Sequence, residues 1–596
     1  MPVSSPAWLK RQPSGPPGPP PAAEAIEAFK AFVDAESFPD ALKWHAELLD
    51  HLDLAPGPFQ EFYPKFKSAI RDHLPFRYKE IFKILDARSK LKPYGGAPAE
   101  KQRVLVVGGG PMGFRTAIET QLLGARTLVI ERREDFTRHN VVKLWKFLLA
   151  DYKALGVKKF VGKFCSGSVN HIGIKDLQLF LAKVVLFLGI EVIAPLMLVD
   201  VVEPSGGKGW TATFKPEGTG ADGFEFDFMV IASGRKVAVE GFNRRSLDAK
   251  LAIAVTANFV NGNTYEESAV NEIAGISKQY HQDFFKGLKE EHDIELENIV
   301  YYRGGTHYFV MTALRSSLIE RGVLLEDKDD RKALLHPSNV DKERLHQYAI
   351  DSAQYSTATF SSQLPVTEFA LNARGDPDCA IFDFTNLYSA SNASAVRVRN
   401  GFQLLMTIVG DSLLEPFWPE GTGCGRGVLS CLDAAWLFRQ WCLARVNPLE
   451  ILTERENIYK LLSQTTDGGG LLKDSYKSFT IKPDTRYKSI PKKIDHEKVL
   501  SLYDTDAADE FEFLKEKFLK KQFYDRREHM TMLQKFRKGV AIKNWRRMQV
   551  QMQMVNAFNK MDGVKSFNKR TRRATSKDQQ QQQSAATGAT EIEVTS

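Results

Sequence analysis

Three glycines at GxGxxG spacing, Gly108, Gly110 and Gly113, follow directly on the apolar run Val104-Leu-Val-Val107. Far downstream a Gly-Asp pair, Gly410-Asp411, follows a second apolar run, Leu404 to Val409. Residues without a Cβ let a chain turn tightly and bring its backbone against a pyrophosphate, which the N-terminus of a following helix attracts. An aspartate at the end of a strand can accept hydrogen bonds from the hydroxyls of a ribityl chain. Taken together, the two segments outline a site that holds FAD by both ends. The spacing alone is weak, and the chain carries its own false copy, Gly218-Thr-Gly220-Ala-Asp-Gly223. That copy lies between two expected strands of a hairpin with no helix after it, so it reads as a turn.

The first copy has the right surroundings. It follows a strand and opens a helix, and the next strand ends in Glu131, a carboxylate placed to meet adenosine ribose hydroxyls. Beyond Asp411, the stretch Gly421-Thr-Gly423-Cys-Gly425-Arg-Gly427 leads into a helix. Its N-terminal amides would face the flavin pyrimidine edge and stabilise a reduced, anionic ring. The alternative for that stretch is a Gly-rich loop that only permits close packing. A second GxGxxG in a valid context is absent, so NADPH would have no Rossmann domain of its own and would enter the flavin cleft transiently. This points to an α/β fold of the single-Rossmann FAD-binding hydroxylase kind, like para-hydroxybenzoate hydroxylase, with a second subdomain containing a β-sheet.

The elements that must position these residues are legible from periodicity. Residues 1–22, with Pro-Ser-Gly-Pro-Pro-Gly-Pro-Pro-Pro, are expected to be disordered or polyproline II. From 23 to 100, the spacing of Ile26, Phe29, Phe32, then Leu48, Leu49, then Phe62, Phe66, Ile70, then Tyr78, Ile81, Phe82, Leu85 predicts helices packed on the catalytic domain. The domain at 101–505 opens with a strand at Arg103–Val107, a helix at Pro111–Leu123 and a strand at Thr127–Ile130. Thr211–Phe214 and Phe224–Ala232 read as a strand pair joined by the Gly-rich turn, and Ile299–Thr312 as another pair. Gly427–Arg439 reads as a helix, and helical pattern continues through Pro448 and Ile458–Leu462. Residues 506–575 form a basic, amphipathic helical tail, and 576–596 are expected to be disordered.

At 596 residues, 43% apolar and 26% charged, the chain is mostly ordinary globular protein, too long for one simple core. The five cysteines (Cys165, Cys379, Cys424, Cys431, Cys442) form no CxxC pair and no Cys/His cluster, so neither zinc nor a disulfide framework is expected, and no metal site. Thinly spread thiols suit a reducing compartment. The start of the chain has no apolar signal core, and the run Leu177–Val199 is broken by Gln178, Lys183, Gly189, Glu191 and Pro195. It reads as a buried helix and a buried strand and not as a transmembrane segment. The net charge of +8 is uneven: Phe511 to Arg573 holds 18 Lys/Arg against 5 Asp/Glu, so the rest of the chain is net negative. Such a tail favours an acidic partner.

Longer runs carry a resemblance. Gly108-Gly-Gly-Pro-Met-Gly-Phe-Arg-Thr-Ala117, Glu131-Arg-Arg133, Phe136-Thr-Arg-His-Asn-Val141 and Gly162-Lys-Phe-Cys-Ser-Gly167 are four of them. Lys250-Leu-Ala-Ile253, Thr256-Ala-Asn-Phe259, Glu297-Asn-Ile-Val-Tyr-Tyr302, Thr306-His-Tyr-Phe-Val-Met-Thr-Ala313 and Gly410-Asp-Ser-Leu-Leu-Glu-Pro-Phe-Trp-Pro419 are the others. Over about Arg103 to Asp504 the chain resembles the flavin monooxygenase domain of the MICAL family, enzymes that oxidise methionines of actin filaments. The resemblance implies FAD contacts by Met112, Glu131, Arg132, Arg133, Arg138, His139, Asn140, Leu198, Tyr308 and Asp411. It also places Asn140 and Trp418 near the isoalloxazine, and these two with Tyr308 are the candidate catalytic residues. Physically, Arg132, Arg133 and Arg138 can neutralise a pyrophosphate or the NADPH 2′-phosphate. Tyr308 and Trp418 can wall a flavin and a thioether; core packing is the other account of both aromatics. One departure stands out. Ile231-Ala-Ser-Gly-Arg-Lys236 occupies the place where many single-Rossmann hydroxylases carry an Asp-Gly pair.

The expected activity is therefore NADPH-dependent oxidation of methionine in a protein, with filamentous actin as the implied substrate and filament disassembly as the consequence. An NADPH oxidase releasing hydrogen peroxide and an FAD-binding cytoskeletal adaptor without turnover are the rivals. In the tail, Leu533-Gln-Lys-Phe-Arg-Lys-Gly-Val-Ala-Ile-Lys543 fits the IQ pattern and would suit a calmodulin-like lobe; a solvated basic helix is the other reading. Lys569-Arg-Thr-Arg-Arg573 could serve nuclear import. The expected location is cytoplasmic and cytoskeleton-associated, and no DNA or RNA is required. No calponin-homology, LIM or Rab-binding module is expected after the catalytic body.

Overall fold

The computed structural model describes residues 23–161, 164–165, 169–234, 239–248, 253–383, 386–417, 420–492 and 495–521. Trp418, the IQ-like stretch at Leu533–Lys543 and the Lys569–Arg573 cluster lie outside the described residues. The chain divides into two compact units, Met1–Glu516 and Lys517–Ser596, and the first carries the site.

A seven-stranded sheet forms its centre, in the order 503–505, 394–399, 402–408, 228–231, 103–107, 126–130, 191–193. The five strands from 402–408 to 191–193 run parallel. Phe228–Ile231 and residues 104–107 at the middle of the sheet are short continuous apolar runs, which suits a sheet covered on both faces. From Arg103–Val107 the chain moves first to one side, through Arg126–Ile130 and Glu191–Ile193, and later to the other, through Phe228–Ile231 and Phe402–Ile408. The strand order thus reverses at Arg103–Val107, the place where α/β sheets open a crevice for ligands. The helices Pro111–Leu122 and Gly423–Leu443 pack on each other beside this point.

A second, antiparallel sheet has the order 273–277, 296–303, 306–313, 253–260, 379–383. Its alternation decides its two faces. Val255, Ala257, Phe259, Ile299, Tyr301, Phe309 and Met311 point into a core shared with the helices Gln282–His292 and Lys342–Phe360. Ala254, Val300, Tyr302, Tyr308 and Val310 point the other way and form a smaller apolar cluster.

One expected pairing is corrected. Thr211–Lys215 does not form a hairpin with the strand after the Gly-rich turn; it pairs with Met197–Val202. Phe228–Ile231 instead joins the central sheet between 103–107 and 402–408. The physical reason is burial. Phe-Met-Val-Ile is buried at all four positions, whereas Thr211–Lys215 alternates and needs only one covered face.

Four helices, Ala23–Asp34, Phe38–His51, Phe59–Ile70 and Phe76–Ser89, cover the helix Ile174–Phe187. Their contact is aromatic: Phe187 meets Phe29, Phe66 and Phe82 at centroid distances of 4.8–6.0 Å. Lys183 of the same helix is buried and donates to the carbonyls of Val33 (2.7 Å) and Ala35 (2.5 Å), where the first helix ends. A cation there satisfies carbonyls that a helix C-terminus leaves without partners.

His45 lies in this layer, 4% exposed, against the Phe32 ring, and burial lowers its pKa from 6.5 to about 4. The folded state therefore resists a proton that the unfolded chain accepts. Stability from this group is complete above pH 6.5 and falls as pH drops towards 4, by about 3 kcal/mol in all. Urea unfolding at pH 7 and pH 4.5 should show a smaller acid loss in His45→Leu than in the natural chain. Equal losses would remove His45 from the account.

Candidate active site

Between the two sheets lies a cavity of about 780 Å³, within the range of cofactor sites. Two helix N-termini open on it. Gly110 precedes the helix Pro111–Leu122, and Thr422 precedes Gly423–Leu443, each without a side-chain cap. Gly110, Pro111 and Met112 line the cavity at the first helix, Gly423 and Cys424 at the second. The uncapped amides and the positive ends of both dipoles thus point at one space, which suits an anionic, elongated ligand.

The glycines of the first turn are required by approach. Gly108 has φ +109°, and a Cβ there would lie 2.8 Å from the Ala232 carbonyl oxygen. Gly113 does not line the cavity. It sits behind it, where a Cβ would overlap the Gly108 carbonyl oxygen. The glycines of the second helix make room for specific side chains: a Cβ on Gly427 would lie 2.6 Å from Met112 Sδ, and one on Gly423 2.9 Å from Pro416. Gly410 has φ +63°, and a Cβ there would lie 2.8 Å from Met112 Cγ, so Met112 is wedged between the two glycine segments.

Glu131 is 4% exposed and already employed. Its Oε2 accepts from Gly109 N (2.7 Å), and its Oε1 accepts from the Arg133 backbone N–H and from Arg133 Nε (2.9 Å each). A carboxylate offers about four acceptor positions, so about one remains for a ribose hydroxyl. The residue thus fixes the glycine turn as well as facing the cavity.

Arg132, Arg133, Arg138, Asn140, Leu198, Tyr308 and Asp411 also line the cavity. His139 does not; its Nε2 lies 3.1 Å from the Leu371 carbonyl. Successive side chains of an extended segment point opposite ways, so Arg138 and Asn140 face in and His139 faces out. Partial burial, then the neighbouring Arg133, lowers the Arg138 pKa, against the pull of Asp411. The Asn140 Nδ2 donates to Tyr308 Oη at 2.9 Å, joining the segment after the second central strand to the antiparallel sheet. Burial raises the Tyr308 pKa well above its ordinary value, so this phenol stays protonated.

Thr137, Lys143, Gln178, Val300, Tyr302 and Val310 line the cavity too and were not singled out from sequence as site residues. Tyr302 was within reach of a pairing argument. Gly304-Gly305 joins two strands that place Tyr302 directly opposite Tyr308. No group of His, Cys, Asp and Glu fit to hold a metal occurs among the described residues. No helix among them is long and apolar enough to cross a membrane.

Comparison with known proteins identifies the lineage. The family model described as Mical, Rossman domain matches residues 251–383. Human [F-actin]-monooxygenase MICAL3 is 44% identical over 486 residues, 80% of this chain and 24% of the relative. The zebrafish Protein-methionine sulfoxide oxidase mical3a is 44% identical over 465 residues, 77% of this chain and 23% of its own length. The chain belongs to the MICAL family. It spans about a quarter of the length of these MICAL relatives. The solved myxobacterial chondrochloren halogenase, an FAD-dependent enzyme, is similar at a TM-score of 0.41 and 16% identity over 61% of this chain and 79% of that one.

Proposed function

We propose that this MICAL chain is an NADPH-dependent flavin monooxygenase that converts methionine side chains of filamentous actin to sulfoxides. The observation that carries the reading is the convergence on one cavity of the Gly108–Met112 turn, Glu131 and Gly410-Asp411. The names of the relatives supply the reaction and substrate.

The residues present fit FAD. The first turn of Pro111–Leu122 would hold the pyrophosphate, with Arg133 and Arg138 balancing its charge. Glu131 would use its remaining acceptor position on the ribose, and Asp411 would take ribityl hydroxyls. The N-terminus of Gly423–Leu443 would stabilise negative charge at the pyrimidine edge. Arg132 and Lys143, which also line the cavity, are placed to meet the phosphates of an NADPH that visits and leaves. Bound FAD would supply the hydride and oxygen chemistry. The overall reaction consumes one thioether, O2, NADPH and a proton, and yields one sulfoxide, NADP⁺ and water. The protein adds no acid–base pair, because a thioether sulfur is already nucleophilic. A sulfoxide turns an apolar side chain polar, which disrupts a Met-containing contact between subunits.

Mass spectrometry of actin filaments incubated with the purified chain, FAD, NADPH and catalase tests this. Methionine should gain one oxygen with catalase present. Loss of the product on adding catalase would mean diffusible peroxide and would overturn directed transfer.

A further inference from the structure

The antiparallel sheet shows the cavity a block of four side chains. Val300 stands opposite Val310 and Tyr302 opposite Tyr308 in the register of the hairpin, all on one face. The two valines make an apolar patch that suits an unbranched side chain. The two phenols differ in employment. Tyr308 Oη accepts from Asn140, while Tyr302 Oη takes no hydrogen bond among the described residues. Its ring packs against the His171 ring, at a centroid distance of 5.2 Å. His171 is itself fixed, with Nδ1 2.6 Å from the Val169 carbonyl and Nε2 3.0 Å from the Arg303 carbonyl and 3.2 Å from Glu272. Tyr302 thus lines the cavity beside an apolar patch, with its ring packed on a fixed imidazole and its hydroxyl unengaged.

We propose that Tyr302 is a catalytic hydrogen-bond donor for the reaction assigned above, selecting for a thioether at the moment it gains oxygen. The inference rests on that assignment. A thioether sulfur is a weak acceptor, so the unreacted side chain leaves the hydroxyl without a good partner. As the S–O bond forms, the sulfur gives two electrons to an oxygen atom derived from O2, the O–O bond breaks, the second oxygen leaves as water at the expense of NADPH, and the oxygen now on sulfur becomes a strong acceptor. Tyr302 then donates to it without giving up its proton. An interaction made only as the product forms accelerates the step without tightening substrate binding. Burial, then Glu272, raises the Tyr302 pKa to about 12, so the group remains a donor at neutral pH. The ring face also offers a sulfur–aromatic contact, and Val300 and Val310 exclude water from the slot.

The test uses the full chain loaded with FAD, with actin filaments, NADPH and catalase. Sulfoxide formation and NADPH consumption are measured together. Tyr302→Phe keeps the ring and should keep flavin absorbance and KM for filaments. Its kcat for sulfoxide should fall about tenfold, the effect of one neutral hydrogen bond made in the transition state. Val310→Phe fills the slot and should suppress sulfoxide formation. Sulfoxide formation by Tyr302→Phe at the rate of the natural chain overturns the proposal, whatever Val310→Phe does. If the natural chain oxidises NADPH but yields no sulfoxide, the assigned reaction itself fails and Tyr302 loses its role with it.

Discussion

Gly113→Ala is expected to yield a folded chain that does not retain flavin. The residue touches no part of the cavity, yet its missing Cβ sets where the cavity wall lies. A methyl group there would overlap the Gly108 carbonyl oxygen and lie 3.3 Å from the Ala232 side chain. Neither neighbour can yield cheaply. Gly108 is held at φ +109°, where even a Cβ of its own would lie 2.8 Å from the Ala232 carbonyl oxygen, and Ala232 N–H donates to the Val107 carbonyl within the sheet extension. The helix Pro111–Leu122 must therefore move off the strand by about an ångström. Its first-turn amides then no longer meet a pyrophosphate at hydrogen-bond distance, and a displacement of that size costs roughly 100-fold or more in function. The measurement is flavin absorbance of the purified protein and titration of the apoprotein with FAD. Gly305→Ala is the control, since nothing lies within 4 Å of a Cβ at that hairpin turn. Retention of stoichiometric flavin by Gly113→Ala would show that the turn does not set the phosphate site.

The positions of the two glycine segments were legible in the sequence because their physics is local. A strand, a Cβ-free turn and a helix must follow one another within a dozen residues, and a carboxylate must end the next strand. The same locality sorts Arg138 and Asn140 from His139 once that segment is extended, although the resemblance alone put all three on FAD. The start of Gly423–Leu443 was less legible. Gly423, Gly425 and Gly427 occupy its first turns, where their helix propensity is poor, so the sequence pointed to a helix only from Gly427. Close packing by Pro416, Trp145 and Met112 overrides that propensity and requires the glycines. The pairing of Phe228–Ile231 was illegible for a different reason. A continuous apolar strand is told from a hairpin partner only by the layer that covers it, and that layer comes from segments hundreds of residues away. Tyr302 was missed because a resemblance marks residues one at a time, whereas a cavity wall is a property of register.

The second large effect concerns the N-terminal helices. Arg88→Met is expected to destabilise the chain by about 3–5 kcal/mol, because it removes one partner from a buried ion cluster. Arg88 is 5% exposed, and Arg115 and Glu119 are fully buried. Arg88 Nη2 donates to Glu119 Oε1 at 2.6 Å and pairs through Nη1 with Asp151 at 3.1 Å. Arg115 grips Asp151 with two hydrogen bonds of 2.8 and 3.0 Å and reaches Glu119 at 2.5 Å, and Tyr94 Oη donates to Glu119 Oε2. Two cations and two anions therefore balance at the junction of the helices Phe76–Ser89, Pro111–Leu122 and Lys146–Ala154. Burial alone would raise the Glu119 and Asp151 pKa values; Arg115, then Arg88, more than reverses this, and both are lowered. Without Arg88 the cluster holds two carboxylates against one guanidinium. Adding Glu119→Gln to Arg88→Met restores neutrality, since Arg115 still balances Asp151, so the double variant should be more stable in urea than Arg88→Met alone. If the two losses simply add, the cluster is a set of independent contacts, and the helices are held to the central sheet by their aromatic faces and not by this charge lock.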